Sequence, residues 1–307
     1  MIQIAVQGRV VDRTQWIDLV TTVERLGFHG LCVADHRGST SSPFVALAAA
    51  AMITDRITLG TCVLNAGLWT PMELATEATT LNEMSNGRCV LGIGAGHTPS
   101  EWSMIGAPMP TAGEKVERMI DLVTAVRALI AGNVVTASNN YFTLSEAQIT
   151  ANPTDRGIPI LVGGNGQRVL SFAAVEADVV GVSGLGRTLA DGHSHEVAWS
   201  PAQLNKTFER IAALAGEANR APDIEALVQH VEITNDAERS AERIAELVPG
   251  ATPADLLDAP FMWIGTVEEI TAQINEYQKS WGITRYVIRD SSLDAASEVL
   301  RSLQHQT

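Results

Sequence analysis

The stretch that decides the fold is Gly60-Thr61-Cys62-Val63-Leu64-Asn65, followed by Ala66-Gly67-Leu68-Trp69-Thr70-Pro71. Its first part belongs to an apolar run typical of a strand buried on both faces, and Pro71 favours the start of a helix. This strand-to-helix step is the third of a series along the chain. Barrel enzymes place their chemistry at the carboxyl ends of such strands. The strand ends at Val33-Ala34-Asp35-His36 and at residues 91–97 have the same character, so we expect the three to form one pocket.

The alternation of strand and helix continues over the rest of the chain. The predicted strands are residues 2–7, 30–34, 57–64, 88–93, 158–162, 178–182, 224–234 and 286–288. The predicted helices are residues 14–26, 43–54, 71–84, 113–131, 167–176, 201–215, 237–247 and 267–281. Residues 134–136 and 141–143 are predicted to form a small hairpin, and residues 261–264 an apolar link.

Strands and helices that alternate over this length favour an α/β fold of the (β/α)8 TIM-barrel class over an open sheet. We expect a single domain over residues 1–307, with excursions near residues 97–112, 134–157 and 183–200. The length of 307 residues and the hydrophobic content of 46% are normal for one such barrel.

Charge and cysteine usage argue against several classes of function. A formal net charge of −14 disfavours nucleic acid and anionic membranes as partners, because phosphate binding needs a basic face. The first residues lack the basic start and long apolar run of a signal peptide, and no later stretch is apolar enough to span a bilayer, so we expect a cytoplasmic protein. Cys32, Cys62 and Cys89 lie in apolar runs without a CxxC pair or clustered histidines, so no disulfide framework or metal site is predicted.

Six motifs follow one another along the chain: residues 27–36 (GFHGLCVADH), 57–61 (ITLGT), 71–75 (PMELA), 86–96 (NGRCVLGIGAG), 158–164 (IPILVGG) and 264–270 (IGTVEEI). In their order and spacing they resemble the luciferase-like monooxygenase superfamily, and more narrowly its branch of oxidoreductases that use the deazaflavin coenzyme F420. The resemblance covers most of the chain.

The resemblance implies a barrel that holds coenzyme F420 at its C-terminal face and transfers a hydride between the deazaflavin C5 carbon and a small-molecule substrate. It also implies a homodimer and a separate F420 or flavin reductase that supplies reduced cofactor. The first alternative is a two-component monooxygenase that uses reduced FMN and oxygen. The second is a non-catalytic flavin-binding barrel.

Asp35 and His36 stand at the end of the second predicted strand. The resemblance places His36 facing the cofactor ring, where an imidazole could pass or receive the proton that accompanies hydride transfer. Asp35 is assigned to the cofactor site. The competing interpretation is a surface histidine beside a helix cap.

Cys62, Val63 and Asn65 form the proposed back wall of the pocket. In related enzymes a bulge in this strand carries a cis non-prolyl peptide bond behind the deazaflavin ring, and the matching bond here is Cys62-Val63. The competing interpretation makes both residues core fillers. Asn65 is predicted to bond a ring carbonyl or nitrogen, as an amide at a strand end can do.

Gly94-Ala95-Gly96-His97 follows the fourth predicted strand. It is a poor nicotinamide fingerprint because Pro99 follows and the helix comes late. Its glycines are predicted to let the backbone approach a flat ligand. Some deazaflavin dehydrogenases have a catalytic Glu where His97 falls, which puts sugar-phosphate oxidation in doubt. His97 is assigned as an acid or substrate contact, with an exposed loop histidine as the alternative.

Gly163-Gly164-Asn165-Gly166 opens a predicted helix, so free backbone N–H groups there are predicted to hold a cofactor phosphate. Arg168 is assigned to the same phosphate, whereas Arg187 fits a solvated surface residue slightly better. The loop that carries His193 and His195 is interpreted as a lid without a metal.

Three tryptophans, Trp69, Trp102 and Trp199, stand in the predicted loops. They are assigned to an apolar substrate cavity, because aromatic side chains commonly line such sites. Core packing is the competing explanation for each of them.

Overall fold

The computed structural model describes residues 1–150, 157–189 and 195–305, with the side chains of residues 187 and 188 outside the description. The chain forms two compact units. The C-terminal unit consists of Met1–Gln7, Leu26–His29 and Gly164–Thr307, and the N-terminal unit consists of Gly8–Arg25 and Gly30–Gly163. The expectation of a single domain over the whole chain stays a prediction.

The strands follow one another through both units. In chain order they are β1 (Gln3–Gln7), β2 (Gly30–Val33), β3 (Thr58–Thr61), β4 (Leu64–Asn65), β5 (Cys89–Gly94), β6 (Val135–Ser138), β7 (Thr143–Ala147), β8 (Ile160–Gly163), β9 (Val179–Val182), β10 (Leu185–Thr188), β11 (His195–Val197), β12 (Asp223–Leu227), β13 (His230–Ile233), β14 (Met262–Gly265) and β15 (Ile283–Arg289).

Helices alternate with these strands. They are α1 (Arg13–Leu26), α2 (Pro43–Ala51), α3 (Pro71–Met84), α4 (Pro99–Met104), α5 (Ala112–Ile130), α6 (Gln167–Glu176), α7 (Pro201–Glu217), α8 (Ala237–Ala245), α9 (Pro253–Asp258), α10 (Val267–Trp281) and α11 (Leu293–His305), with 3₁₀ turns at Ala66–Leu68 and Asp290–Ser292. Within the described residues, none of these helices has the length and apolar character needed to cross a membrane.

Parallel pairing organises the principal strands of each unit. In the N-terminal unit β2 pairs with β3, β3 with β5, and β5 with both β4 and β8. In the C-terminal unit β1 pairs with β15, β15 with β12, and β12 with β9. Parallel strands joined through helices are the construction of a (β/α)8 barrel, so the predicted fold class is confirmed.

Two predicted strands are each divided in the structure. The run 57–64 becomes β3 and β4, separated at Cys62 and Val63. The run 224–234 becomes β12, next to β15, and β13, which pairs with β14. The predicted apolar link at 261–264 was wrong, because most of it lies in β14. A hydropathy pattern shows that a segment is buried but does not show where it changes partner.

Several short elements were not predicted. Helices α4 and α9 contain 6 residues each, too few to show a helical repeat of apolar residues. The antiparallel pair β10–β11 lies within the segment 183–200 that was assigned as a loop, and α11 follows the last predicted strand. The predicted hairpin is present as β6–β7.

Local capping fixes the helix that follows the deciding stretch. The Thr70 hydroxyl accepts from the backbone N–H of Glu73, and the Glu73 carboxylate accepts from the backbone N–H of Thr70. This reciprocal pair satisfies two donors that the start of a helix leaves without partners. Helix α3 therefore begins at Pro71, directly after its N-cap residue Thr70.

Candidate active site

A histidine and a buried glutamate form the central contact of the N-terminal unit. His36 follows β2, and its Nδ1 lies 2.7 Å from Oε1 of Glu101 in α4. The Glu101 side chain is 2% exposed, whereas the His36 side chain is 38% exposed. Glu101 therefore holds the Nδ1 side of the imidazole, and the opposite side of the ring is accessible to a ligand.

The charge of Glu101 follows from its partners. Burial alone raises the pKa of this carboxyl, but hydrogen bonds from His36 and Asn65, together with electrostatic interactions with His36 and His97, lower it below its ordinary value. Glu101 is therefore an ionised acceptor at neutral pH. A carboxylate can only accept, so Nδ1 of His36 carries the proton in this contact.

Asn65 is the second residue that holds Glu101. Its Nδ2 donates to Glu101 Oε2 at 2.6 Å, and its Oδ1 accepts from the backbone N–H of Gly67 at 3.0 Å. The side chain was predicted to bond a cofactor ring, and in the structure the amide joins the end of β4 to α4. Gly96 packs against it, since a Cβ built there would lie 2.0 Å from Asn65 Oδ1.

Asp35, which follows β2, contacts Trp69. Its buried carboxylate accepts from Trp69 Nε1 at 2.7 Å and lies 3.4 Å from the backbone nitrogen of Asn65. The indole also packs edge-on against Phe44, and the Arg37 guanidinium lies 5.0 Å from its ring centroid. Trp69 is half-buried, so one part of the ring is fixed and another reaches solvent.

His97 lies beside His36. The two ring centroids are 5.6 Å apart, and the planes are nearly perpendicular. His97 is the more exposed of the two residues. The structure thus brings the predicted catalytic pair together, and the role of each in catalysis stays a prediction.

The glycines that end β5 and β8 pack against Val63. The Cys62–Val63 peptide bond is cis, as the resemblance implied. A Cβ at Gly94 would lie 2.7 Å from Val63 Cγ2, and one at Gly163 would lie 3.0 Å from Val63 Cγ1. These glycines therefore make room for a side chain of the protein itself. Val63 and Cys62 are each partly exposed.

Trp102 packs inside the N-terminal unit. It is buried on α4, and a Cβ at Gly67 would lie 2.3 Å from its ring. This arrangement matches the core-packing explanation that the sequence left open. Ala95 is partly exposed between the two glycines of its turn.

In the C-terminal unit, Asn165 supports a loop. Its Oδ1 accepts from the backbone N–H groups of Ser183 and Gly184, and its Nδ2 donates to the Ser183 hydroxyl. Buried Trp199 donates from Nε1 to the Ser183 carbonyl and packs against Phe261. Both predicted site residues thus have structural partners.

The turn that was predicted to hold a phosphate precedes α6. Gly164 packs under Val169, and Gly166 is the N-cap of the helix without a side-chain hydrogen bond. The first backbone donors of α6 are therefore not capped by that residue, and Arg168 is exposed on the first turn. Of the residues considered for the lid and the anion site, His193 and the side chain of Arg187 lie outside the described residues.

Glu101 was missed by the sequence interpretation. It stands on α4, inside the segment 97–112 that was treated as an excursion from the barrel. One signal was available: Thr98-Pro99 is a good helix start, and a carboxylate in the first turn of a helix is favourable. Only the folded chain shows that this carboxylate contacts His36 and Asn65.

Comparison with known proteins gives a family match over most of the chain. The model of the family described as luciferase-like monooxygenase matches residues 4–251. Limonene 1,2-monooxygenase of Rhodococcus erythropolis is 28% identical over 94% of this chain and 78% of its own length. The F420-dependent glucose-6-phosphate dehydrogenase of Intrasporangium calvum is 32% identical over 56% of this chain, a match that spans 55% of that enzyme.

Solved structures agree on the fold. Coenzyme F420-dependent tetrahydromethanopterin reductase from Methanopyrus kandleri superposes with a TM-score of 0.77 over 98% of this chain and 99% of that one. The sequence identity is 20%, so this likeness carries the fold and no more.

Proposed function

Because the chain belongs to the luciferase-like monooxygenase family of enzymes, we propose that it is an F420-dependent oxidoreductase that transfers a hydride to or from a small organic substrate. One observation carries the proposal. His36, half-exposed at a strand end, is held through Nδ1 by an ionised and buried Glu101. This leaves Nε2 as the nitrogen that can exchange a proton with a bound ligand.

The residues of the N-terminal unit fit a flat ring. Val63 is partly exposed while its methyl groups rest on Gly94 and Gly163, which gives an apolar support with little freedom to move. His36 and His97 supply polar groups at neighbouring strand ends. When bound, F420 would supply or accept the hydride at C5. In the proposal, Cys62, Val63 and Ala95 of the N-terminal unit contact its ring. In the C-terminal unit, the turn before α6 with Arg168 is proposed to bind a phosphate, although the backbone N–H of Gly164 itself donates to the Gly181 carbonyl.

The protein's own part in the reaction is proton handling and orientation. His36 would hold the proton at Nε2 that enters or leaves the substrate as the hydride moves. Glu101 keeps the opposite nitrogen protonated, and Asn65 keeps the Glu101 carboxylate in place. Asp35 fixes Trp69, whose partly exposed ring supplies an apolar wall for the substrate.

A reduced-FMN monooxygenase is the second candidate function. It is favoured by the match to limonene 1,2-monooxygenase, which extends over 94% of this chain. The same pocket would then bind FMN and depend on oxygen. In either case we propose that a separate reductase supplies the reduced cofactor. A non-catalytic flavin-binding barrel is the third candidate, and the Glu101–His36 contact disfavours it because binding alone does not require an oriented imidazole.

Titration of the purified protein with F420 and with FMN tests the cofactor choice. We expect F420 to bind more tightly than FMN. We also expect reduced F420 to be consumed with a suitable acceptor in the absence of oxygen. Tight FMN binding without detectable F420 binding would reject it. Product that forms only with FMN and oxygen would support the monooxygenase, and binding without any turnover would support the third candidate.

A further inference from the structure

An arginine at the carboxyl end of β15 is held by two neutral side chains. Arg289 is the last residue of β15 and is in register with Gln7, the last residue of β1. Its Nη1 donates to Gln7 Oε1, and its Nη2 donates to Gln229 Oε1 at 3.2 Å. The guanidinium is therefore fixed in position without losing its charge.

The same strand carries a second arginine, Arg285, whose partners include carboxylates. Arg285 lies four residues earlier, donates from Nε to Glu225 at 3.3 Å, and has Asp223 within 3.8 Å of its Nη1. No such ion pair joins Arg289 to a carboxylate of the residues that the structure describes. Among the described residues, one arginine of this strand is thus paired with carboxylates and the other is not.

A partly buried cation without a counter-ion is costly, so its retention in a chain of net charge −14 calls for an explanation. Two amide oxygens account for two of the five N–H donors of a guanidinium. The remaining donors suit a carboxylate or phosphate, which a guanidinium binds through parallel hydrogen bonds. The carboxyl ends of barrel strands are also where such enzymes bind ligands.

We propose that Arg289 binds an anionic oxygen group, a phosphate or a carboxylate, of a ligand of this enzyme. Gln7 and Gln229 orient the guanidinium and leave its charge available. The inference deepens the proposed function by naming a chemical group that the ligand carries, and it rests on that function only for the cofactors used as probes. The group belongs either to the cofactor or to the substrate, and the experiment separates these sources.

The first arm compares cofactors that differ in their phosphate. F420 and FMN are titrated into the wild type and Arg289→Gln, alongside the phosphate-free ribityl form of each chromophore. If Arg289 binds the cofactor phosphate, the variant loses about tenfold or more in affinity for the phosphorylated form and keeps its affinity for the ribityl form. Arg239→Gln, a change on the exposed face of α8, is the matched control and should bind all four as the wild type does.

The second arm of the experiment does not require F420 or FMN to bind. Inorganic phosphate and acetate are titrated into the same proteins by calorimetry. If Arg289 binds a substrate anion, cofactor affinity is unchanged and the affinity for one of these anions falls about tenfold or more in Arg289→Gln. Gln229→Glu places a carboxylate on the guanidinium and should reproduce this loss with Arg289 still present. It covers the case in which Arg289→Gln does not fold.

Equal affinities of the variants and the wild type in both arms would overturn the proposal. An equal loss for phosphorylated and phosphate-free chromophores would also overturn it, because that result assigns Arg289 to the ring or to the fold. If neither F420 nor FMN binds the wild type, the proposed function fails, and the inorganic anions still decide the role of Arg289.

Discussion

Oε1 of Glu101 lies 2.7 Å from Nδ1 of His36, with the carboxylate buried and the imidazole half-exposed. Because of this asymmetry, the two nitrogens of the His36 ring have different surroundings. One is fixed on the protein side by an acceptor that stays ionised, and the other is available to whatever binds at the strand end. The contact makes His36 a directed proton carrier in the proposed reaction.

Replacing His36 by alanine removes the proposed proton carrier. We expect His36→Ala to lower turnover by about two to four orders of magnitude while largely preserving cofactor binding. Steady-state rates and cofactor titration measure the two effects separately. His305→Ala, at the exposed end of α11, is the matched control. Unchanged turnover in His36→Ala would remove its catalytic role.

Glu101→Gln keeps the shape of the side chain but removes the charge that orients His36. We expect kcat to fall by about tenfold or more, with the pH dependence of turnover altered, because Nδ1 of His36 loses its ionised acceptor. Glu77→Gln, on the exposed face of α3, serves as the control. A variant with a normal pH profile and lower kcat would indicate a structural role for Glu101 instead.

Trp69→Phe deletes the indole donor to Asp35 and keeps an aromatic ring. Because the Asp35 carboxylate is buried, we expect the free energy of unfolding to fall by about 1–3 kcal/mol in urea titrations. Trp281→Phe also deletes an indole hydrogen bond, to Asn205 in exposed surroundings, and should cost clearly less. Equal losses of unfolding free energy in the two variants would show that the buried contact with Asp35 stabilises the fold no more than the exposed contact with Asn205.

Gly96→Ala tests the packing of the β5 turn on Asn65. Both Gly96 and Gly106 have positive φ angles, 78° and 71°, so alanine is strained at each by about 1 kcal/mol. Only at Gly96 does the new Cβ meet Asn65, whereas nothing lies within 4 Å at Gly106. We expect Gly96→Ala to lose more stability than Gly106→Ala, as chemical denaturation would measure, and also to lose turnover. Similar behaviour of the two variants would contradict the contact.

His29 gives the fold a defined pH dependence. Burial, and secondarily the positive charge of Arg285, lowers the pKa of His29 from 6.5 to about 4. Between these values the unfolded chain binds the proton more readily, so stability should fall as the pH drops from about 6.5 to about 4. His29→Asn should flatten this part of the curve in denaturation experiments. An unchanged slope would show that His29 is not the responsible group.

Much of the barrel was accessible to sequence interpretation because its strands and helices have local signatures. Apolar runs marked β1, β2, β5 and β8, and Pro71 marked the start of α3. Asp35, His36, Asn65 and His97 were predicted to lie in one pocket because they stand at strand ends, which parallel strands place together, and the resemblance assigned His36 to the cofactor ring. Short elements such as α4 were missed because six residues carry too little periodicity.

Local chemistry in the chain was sufficient for the alternation of strand and helix, for the positions of the strand ends and for the residue types found there. Long-range contacts decided what those residues do to one another. Glu101 reaches His36 across 65 positions, Asp35 reaches Trp69 across 34, and Val63 fills the space that Gly94 and Gly163 leave. Periodicity reflects neighbours within a few residues, whereas the charge and orientation of a side chain depend on groups that only folding brings within hydrogen-bonding distance.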